Sequence, residues 1–250
     1  MSTTRFDYVL HLADSPLILG QRLSEWCGHG PVLEEDLALA NLALDLLGQA
    51  RLLLAHAGGL EGKSRDEDQL AFLRPESSYR NFTLVELPNG DFGATVVRNL
   101  LFSAYQLHLW EALQQSCDHE LAAIAGKSIK ETRYHLRHAS DWTVRLGDGT
   151  EESHARVQSA LEHLWPYTPE LFAPDAVDEA AAADGYGVTG ASLEPRWEAT
   201  LRPVLEEATL RAPERTPFRS RGKQGVHSEH MGHLLTEMQY MQRTYPGLQW

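Results

Sequence analysis

From Leu33 to Ala57 the sequence runs without a proline, and Leu33, Leu37, Ala40, Leu44 and Leu47 recur at alternating spacings of four and three. Such a repeat lies along one face of an α-helix. At 1.5 Å rise per residue that helix is about 35–40 Å long. A rod of that length needs neighbours of similar length to bury its stripe, and the chain supplies them. Ser15 and Pro16 read as a cap and a first helical residue. They open a helix to about Cys27, which Gly28, Gly30 and Pro31 stop. Asn89-Gly90-Asp91 is a turn and a cap. The helix after it, Phe92 to Ser116, points Val96, Leu100, Ser103, Leu107 and Trp110 inward. Glu120 to Leu146 forms a fourth long helix. Ala123, Gly126, Ile129 and Arg133 share one strip of it, with Ile124 and Ser128 alongside.

The expectation is one all-α domain over residues 1–250: a ferritin-like four-helix bundle with additional C-terminal helices. The core helices are placed at about 15–27, 33–57, 92–116 and 120–146, and the C-terminal helices at about 152–245. Leu60 to Asn89, broken by charges, Pro75 and Pro88, reads as the long crossover. It is expected on the surface, with one short helix near Asp68 to Leu73.

Charge narrows the function. Lys and Arg total 22 against 35 Asp and Glu, a net charge of −13. A surface that acidic disfavours nucleic acid and anionic membranes as partners. No charge-free stretch approaches the ~20 residues of a membrane span, and the first twenty residues lack the apolar centre of a signal peptide. Cys27 and Cys117 make no CxxC. They read as free thiols of a cytoplasmic protein.

A ferritin-like bundle raises the question of two irons, which need a carboxylate from each of two helices and Glu-x-x-His from each of the other two. The acid-x-x-His at Glu151 to His154 falls at a turn outside the long helices. Glu131 and His135 are one residue too far apart. Asp45 has no histidine at the required spacing, and Glu111 is the carboxylate of the third long helix. A dinuclear centre is therefore poorly supported. A rival reading, an autonomous ferritin-like oxygenase, would use non-standard ligands: Glu25, Asp45, Glu111 and His135. A third, a zinc hydrolase, would use His227, His230 and His233, although no HExxH or CxxC accompanies them. No G-x-S-x-G is present. One basic run stands against the acidic background: Arg211, Arg215, Arg219, Arg221 and Lys223. It reads as a solvated loop, or as a contact for an anionic group or an acidic partner.

Several strings are more specific. They are Leu19-Gly20-Gln21-Arg22-Leu23-Ser24-Glu25-Trp26-Cys27-Gly28-His29, Asp45-Leu46-Leu47-Gly48-Gln49-Ala50-Arg51, Lys130-Glu131-Thr132-Arg133-Tyr134-His135 and Gly222 to His230. With Glu237-Met238-Gln239-Tyr240 they resemble the C-subunit family of the bacterial multicomponent phenylacetyl-CoA epoxidases (phenylacetate-CoA oxygenases). The resemblance implies a role in aerobic phenylacetate breakdown, where the assembly forms a ring 1,2-epoxide. It implies that a related catalytic subunit holds the di-iron site and substrate, and that a small subunit bridges the assembly. A reductase with FAD, an iron–sulfur cluster and NADPH would supply electrons. This chain would bind no cofactor and hold no catalytic residue. The metal-ligand positions of the catalytic subunit fall on Leu46, Gln49, Thr132 and His135, three of them changed. The resemblance also points to the second and third long helices as contact elements. Arg215, Arg219, Arg221 and Lys223 become candidates for holding the catalytic subunit or the phosphates of coenzyme A. Self-association into a homodimer stays open for the isolated chain.

Overall fold

The computed structural model describes residues 3–214 and 216–248. The order is α1 (Thr3–Ser24), α2 (Leu33–Glu61), α3 (Glu67–Phe72), α4 (Thr83–Glu86), α5 (Phe92–Leu113) and α6 (His119–Gly147). It continues with α7 (Glu151–Leu164), α8 (Pro169–Phe172), α9 (Ala176–Ala183), α10 (Glu194–Glu207) and α11 (Glu229–Thr244). Among the described residues β-structure is confined to one isolated bridge, Arg221 with Val226. Two compact units emerge: residues 1–88 with 220–250, and residues 89–219.

The first unit is built on the α1–α2 hairpin, against which α3, α4 and α11 pack. Helix α1 begins well before Ser15, and Pro16 lies inside it. Tyr8, Val9, Leu12 and Ala13 extend the buried stripe of Leu17 and Leu19 backwards. That burial outweighs the hydrogen bond a helical proline forgoes. Ser15, the expected cap, and its neighbour Asp14 reach sideways instead. Asp14 Oδ2 accepts from Arg74 Nη1 at 2.9 Å and from Arg80 N at 2.8 Å, and Ser15 Oγ accepts from Phe82 N at 3.0 Å. The crossover is therefore no surface connection. Leu70, Tyr79, Phe82, Leu84 and Val85 are buried in this unit.

Helix α2 turns three of the five residues of its expected inner face outward. Leu33, Leu37 and Leu44 are 72, 55 and 67% exposed, while Leu39, Leu42, Ala43, Leu46, Leu53 and Leu54 are buried. Both faces are apolar, so periodicity could not choose between them. Among the described residues α2 is the helix long and apolar enough to cross a membrane. However, one face packs on α1 and its first turn carries Glu34, Glu35 and Asp36.

The second unit is built on the α5–α6 hairpin, with α7 and α10 packed on both. Asp91 caps α5 by accepting from Ala94 N at 2.8 Å, as its sequence suggests. Val96, Leu100, Ser103 and Trp110 are buried as expected. On α6 the buried line is Leu121, Ile124, Ala125, Ser128, Ile129, Thr132, His135, Ala139 and Thr143. Ala123 and Arg133 are exposed, so the expected strip is set off by part of a turn. Trp197 of α10 donates to the Leu101 carbonyl at 2.9 Å and meets Trp165 and Phe172, ring centroids 5.5 and 5.0 Å away.

Candidate functional site

The C-terminal stretch of sequence from Ser220 to Ser228 closes onto residues 79–86 within the first unit. Gly222 N donates to Thr83 Oγ1 at 3.2 Å. A Cβ at position 222 would collide with the Asn81 carbonyl oxygen, so only glycine allows this approach. Gly225, at φ +76°, turns the chain back. His227 is then carried to Glu86, 141 residues away in sequence. Both side chains are fully buried, with His227 Nδ1 2.7 Å from Glu86 Oε2. Asn81 Nδ2 donates to the same oxygen at 2.8 Å, and Ser228 N donates to Oε1 at 2.5 Å. Arg22 donates to the Glu86 carbonyl through Nε at 3.0 Å and Nη2 at 2.7 Å.

His227 Nε2 faces the Tyr79 carbonyl at 3.2 Å. Both ring nitrogens therefore meet acceptors, an arrangement that only the doubly protonated ring fills. Burial alone pulls the imidazole down. The hydrogen bond and charge of Glu86, with the Tyr79 carbonyl and Glu76 adding to them, carry it above its ordinary value. These contacts also remove His227 from any zinc site. His233 is exposed, and His230 Nε2 lies 3.9 Å from Glu229. Among the described residues no group of close ligand atoms contains His227, His230 or His233.

A second buried network ties α1 to the crossover. Arg74 is ion-paired with Asp14, and both are buried. Its guanidinium lies 4.2 Å from the Tyr79 ring centroid. Burial pushes the Tyr79 phenol up to about 12, with the Arg74 charge pulling the other way. Gln239 Nε2 of α11 donates to Tyr79 Oη at 2.8 Å and to the Arg74 carbonyl at 2.9 Å. Sequence reading misses both networks. The available signal is a charge set inside apolar runs, as in Leu84-Val85-Glu86-Leu87.

The four candidate ligand positions are all buried: Leu46 and Gln49 in the first unit, Thr132 and His135 in the second. Leu46 offers no donor atom. Gln49 and Thr132 offer neutral oxygens, and only His135 is an ordinary iron ligand. Two irons need several anionic ligands, so this donor set does not fit them. Thr132 Oγ1 and, one turn earlier, Ser128 Oγ are buried without a hydrogen-bond partner.

Two of the rival ligands are engaged elsewhere. Glu25 accepts from Arg22 Nη1 at 2.7 Å. Glu111 is ion-paired with Arg196 and lies 3.1 Å from His108 Nδ1. Asp45 is half-buried on α2. In the Glu151 to His154 string, His154 Nδ1 meets the Gly147 carbonyl at 2.7 Å, finishing the end of α6.

The basic run separates into unlike members. Arg215 lies outside the described residues. Arg219 is exposed and folds back, with Nη1 donating to the Thr216 and Phe218 carbonyls, each at 2.7 Å. Arg221 is exposed. Lys223 is buried, its ammonium 5.8 Å from the Phe82 ring centroid. Lys223 therefore leaves the set of outward contacts. The close seating of Gly222 draws the next side chain in with it.

The whole chain, residues 1–250, matches the family model described as phenylacetic acid catabolic protein. It is 49% identical over 243 residues to the C-subunit of the 1,2-phenylacetyl-CoA epoxidase of Escherichia coli strain K12. That alignment covers 97% of this chain and 98% of the relative.

Proposed function

The chain belongs to the phenylacetic acid catabolic protein family, which is ferritin-like and all-α, and from that premise we propose that it is a non-catalytic subunit of a phenylacetyl-CoA 1,2-epoxidase. In this reading it packs against a related catalytic subunit, which carries the di-iron site and the substrate in aerobic phenylacetate breakdown. The assembly is completed by a small bridging subunit, and a reductase with FAD, an iron–sulfur cluster and NADPH supplies the electrons. The assembly works in the cytoplasm. This chain itself binds no metal and no cofactor.

One observation carries the reading. The ligand positions Leu46, Gln49, Thr132 and His135 are buried, yet together they offer one imidazole and no carboxylate. Two buried divalent ions would be left without compensating charge. A copy of the fold in that condition retains packing surfaces and not the chemistry. Iron and zinc content of the purified chain, after incubation with ferrous iron, tests this. The expected value is below about a tenth of a metal ion per chain, with the chain co-purifying with the catalytic subunit. Two irons per chain would overturn the reading.

A further inference from the structure

Helix α6 buries one side and carries cations along the other. Its buried line runs through Leu121, Ser128, Thr132, His135 and Ala139. On the opposite side Lys127, Lys130, Arg133, Tyr134 and Arg137 follow one another at helical spacing, with Arg145 two turns further on, and all six are exposed. From Lys127 to Arg145 the stripe is about 27 Å long at 1.5 Å rise per residue. Asp141 interrupts it. The chain as a whole carries −13, so a helix face with five cations reverses the local sign of the surface.

Two of the cations are held in place by their own helix. The Arg137 guanidinium lies 5.6 Å from the Tyr134 ring centroid, and that of Arg145 lies 5.3 Å from the Trp142 ring centroid. A guanidinium resting on a ring keeps its N–H fork for an anion and gives up less freedom when it binds one.

Shape and charge together select the occupant. A convex helix face cannot surround a small anion, which would meet one or two of these cations in full solvent, where a pair contributes little. A nucleic acid would run beyond the stripe onto an acidic surface, with Glu120, Glu131 and Asp141 on α6 itself. The Tyr134 and Trp142 rings, on which bases would stack, are already covered by arginine. A second copy brings −13 to a chain of −13. What fits is an acidic face on another protein, because carboxylates on a helix or strand can match cations 5–6 Å apart over several turns. With Tyr134 and little other apolar surface in the stripe, such a contact is steered and reversible, unlike the apolar core of a permanent interface.

We infer that the Lys127–Arg145 stripe of α6 is a salt-sensitive docking face for an acidic surface of the component that delivers electrons to the assembly. This rests on the proposed function, in which the reductase is the component that can come and go, and it gives this chain a part in recruiting it.

The test is binding of purified reductase to the assembled epoxidase, built with this chain or with its Lys130→Glu/Arg137→Glu variant, by calorimetry or sedimentation at low and high salt. Both positions are exposed and glutamate is a good helix former; the melting temperature and co-purification with the catalytic subunit check that the variant folds and assembles. The expected result is affinity lower by about tenfold or more at low salt, a difference that narrows at high salt, and affinity retained by Lys130→Arg/Arg137→Lys. Equal affinity in the glutamate variant, or a wild-type assembly that the reductase does not bind, overturns the stripe and leaves the proposed function standing. A wild-type chain that forms no assembly with the catalytic subunit overturns the proposed function itself. A single-stranded oligonucleotide bound by the wild-type chain and released by the variant, or a self-associated chain dispersed by it, with reductase binding unchanged, also overturns the inference by giving the stripe to another occupant.

Discussion

His227 and Glu86 meet at 2.7 Å with both side chains fully buried, joining the C-terminal segment to the end of α4. The contact has a pH sign. A histidine raised above its ordinary value, about 6.5, contributes stability that is complete below that value. The contribution is lost as pH rises through the raised folded value. The chain should therefore melt at progressively lower temperature from neutral to alkaline pH, and His227→Gln should flatten that part of the profile. Thermal melts of both proteins at a series of pH values from about 6.5, the ordinary histidine value, upward check this, and parallel profiles would refute it. His227→Ala should cost about 3–5 kcal/mol, because Glu86 is left as a buried carboxylate without its cation.

Asp14 and Arg74 form a second buried ion pair in this unit. Removing one partner strands the other. Asp14→Ala and Arg74→Met should each cost about 3–5 kcal/mol, and the double variant should cost clearly less than their sum. Urea titrations of the four proteins close the cycle. Additive costs would mean that the pair is not coupled, and that its members are held by the Arg80 amide and the Leu70 and Ser78 carbonyls alone.

Helices are legible where a single apolar repeat meets a strong stop. Asp91 and the start of α5 at Phe92 are placed to the residue, and the helix ends at Leu113, three residues short of Ser116. Pro16 misleads because a proline inside a helix looks the same in sequence as one at its start. Only the buried stripe from Tyr8 onward tells them apart. The Leu33 to Leu47 repeat is real, but Leu33, Leu37 and Leu44 of it face outward rather than inward, since α2 has two apolar faces. The His227–Glu86 contact is not legible. Nothing local in either segment names a partner 141 residues away. The candidate ligand positions rest on the resemblance, and the structure adds that all four are buried.

Two glycines of the first unit should respond to the same substitution with opposite signs. At Gly222 an added Cβ runs into the Asn81 carbonyl and lies 2.9 Å from Thr83 N, both backbone atoms that cannot swing away. Gly222→Ala should cost about 1–3 kcal/mol by forcing the loop off residues 81–83. At Gly48, within α2, an added Cβ meets nothing within 4 Å. Gly48→Ala should stabilise by about 0.5–1 kcal/mol through helix propensity alone. Chemical denaturation of both variants gives the comparison. A stable Gly222→Ala protein would show that the loop does not sit so closely on Asn81.

Thr132 offers a test at one of the candidate ligand positions, in the second unit. Its hydroxyl is buried without a hydrogen-bond partner, as is that of Ser128 one turn earlier on α6. A threonine retained for packing gains nothing from its oxygen, and the oxygen's desolvation cost remains. Valine has nearly the same shape without that oxygen. Thr132→Val should therefore leave the fold intact and raise stability by about 1 kcal/mol, with Ser128→Ala closer to neutral because it removes some packing as well. Destabilisation of about 1 kcal/mol or more by Thr132→Val would mean that the hydroxyl holds a bound group. The opposite sign would mark α6 at this point as a packed helix face, where no group other than protein side chains needs the hydroxyl.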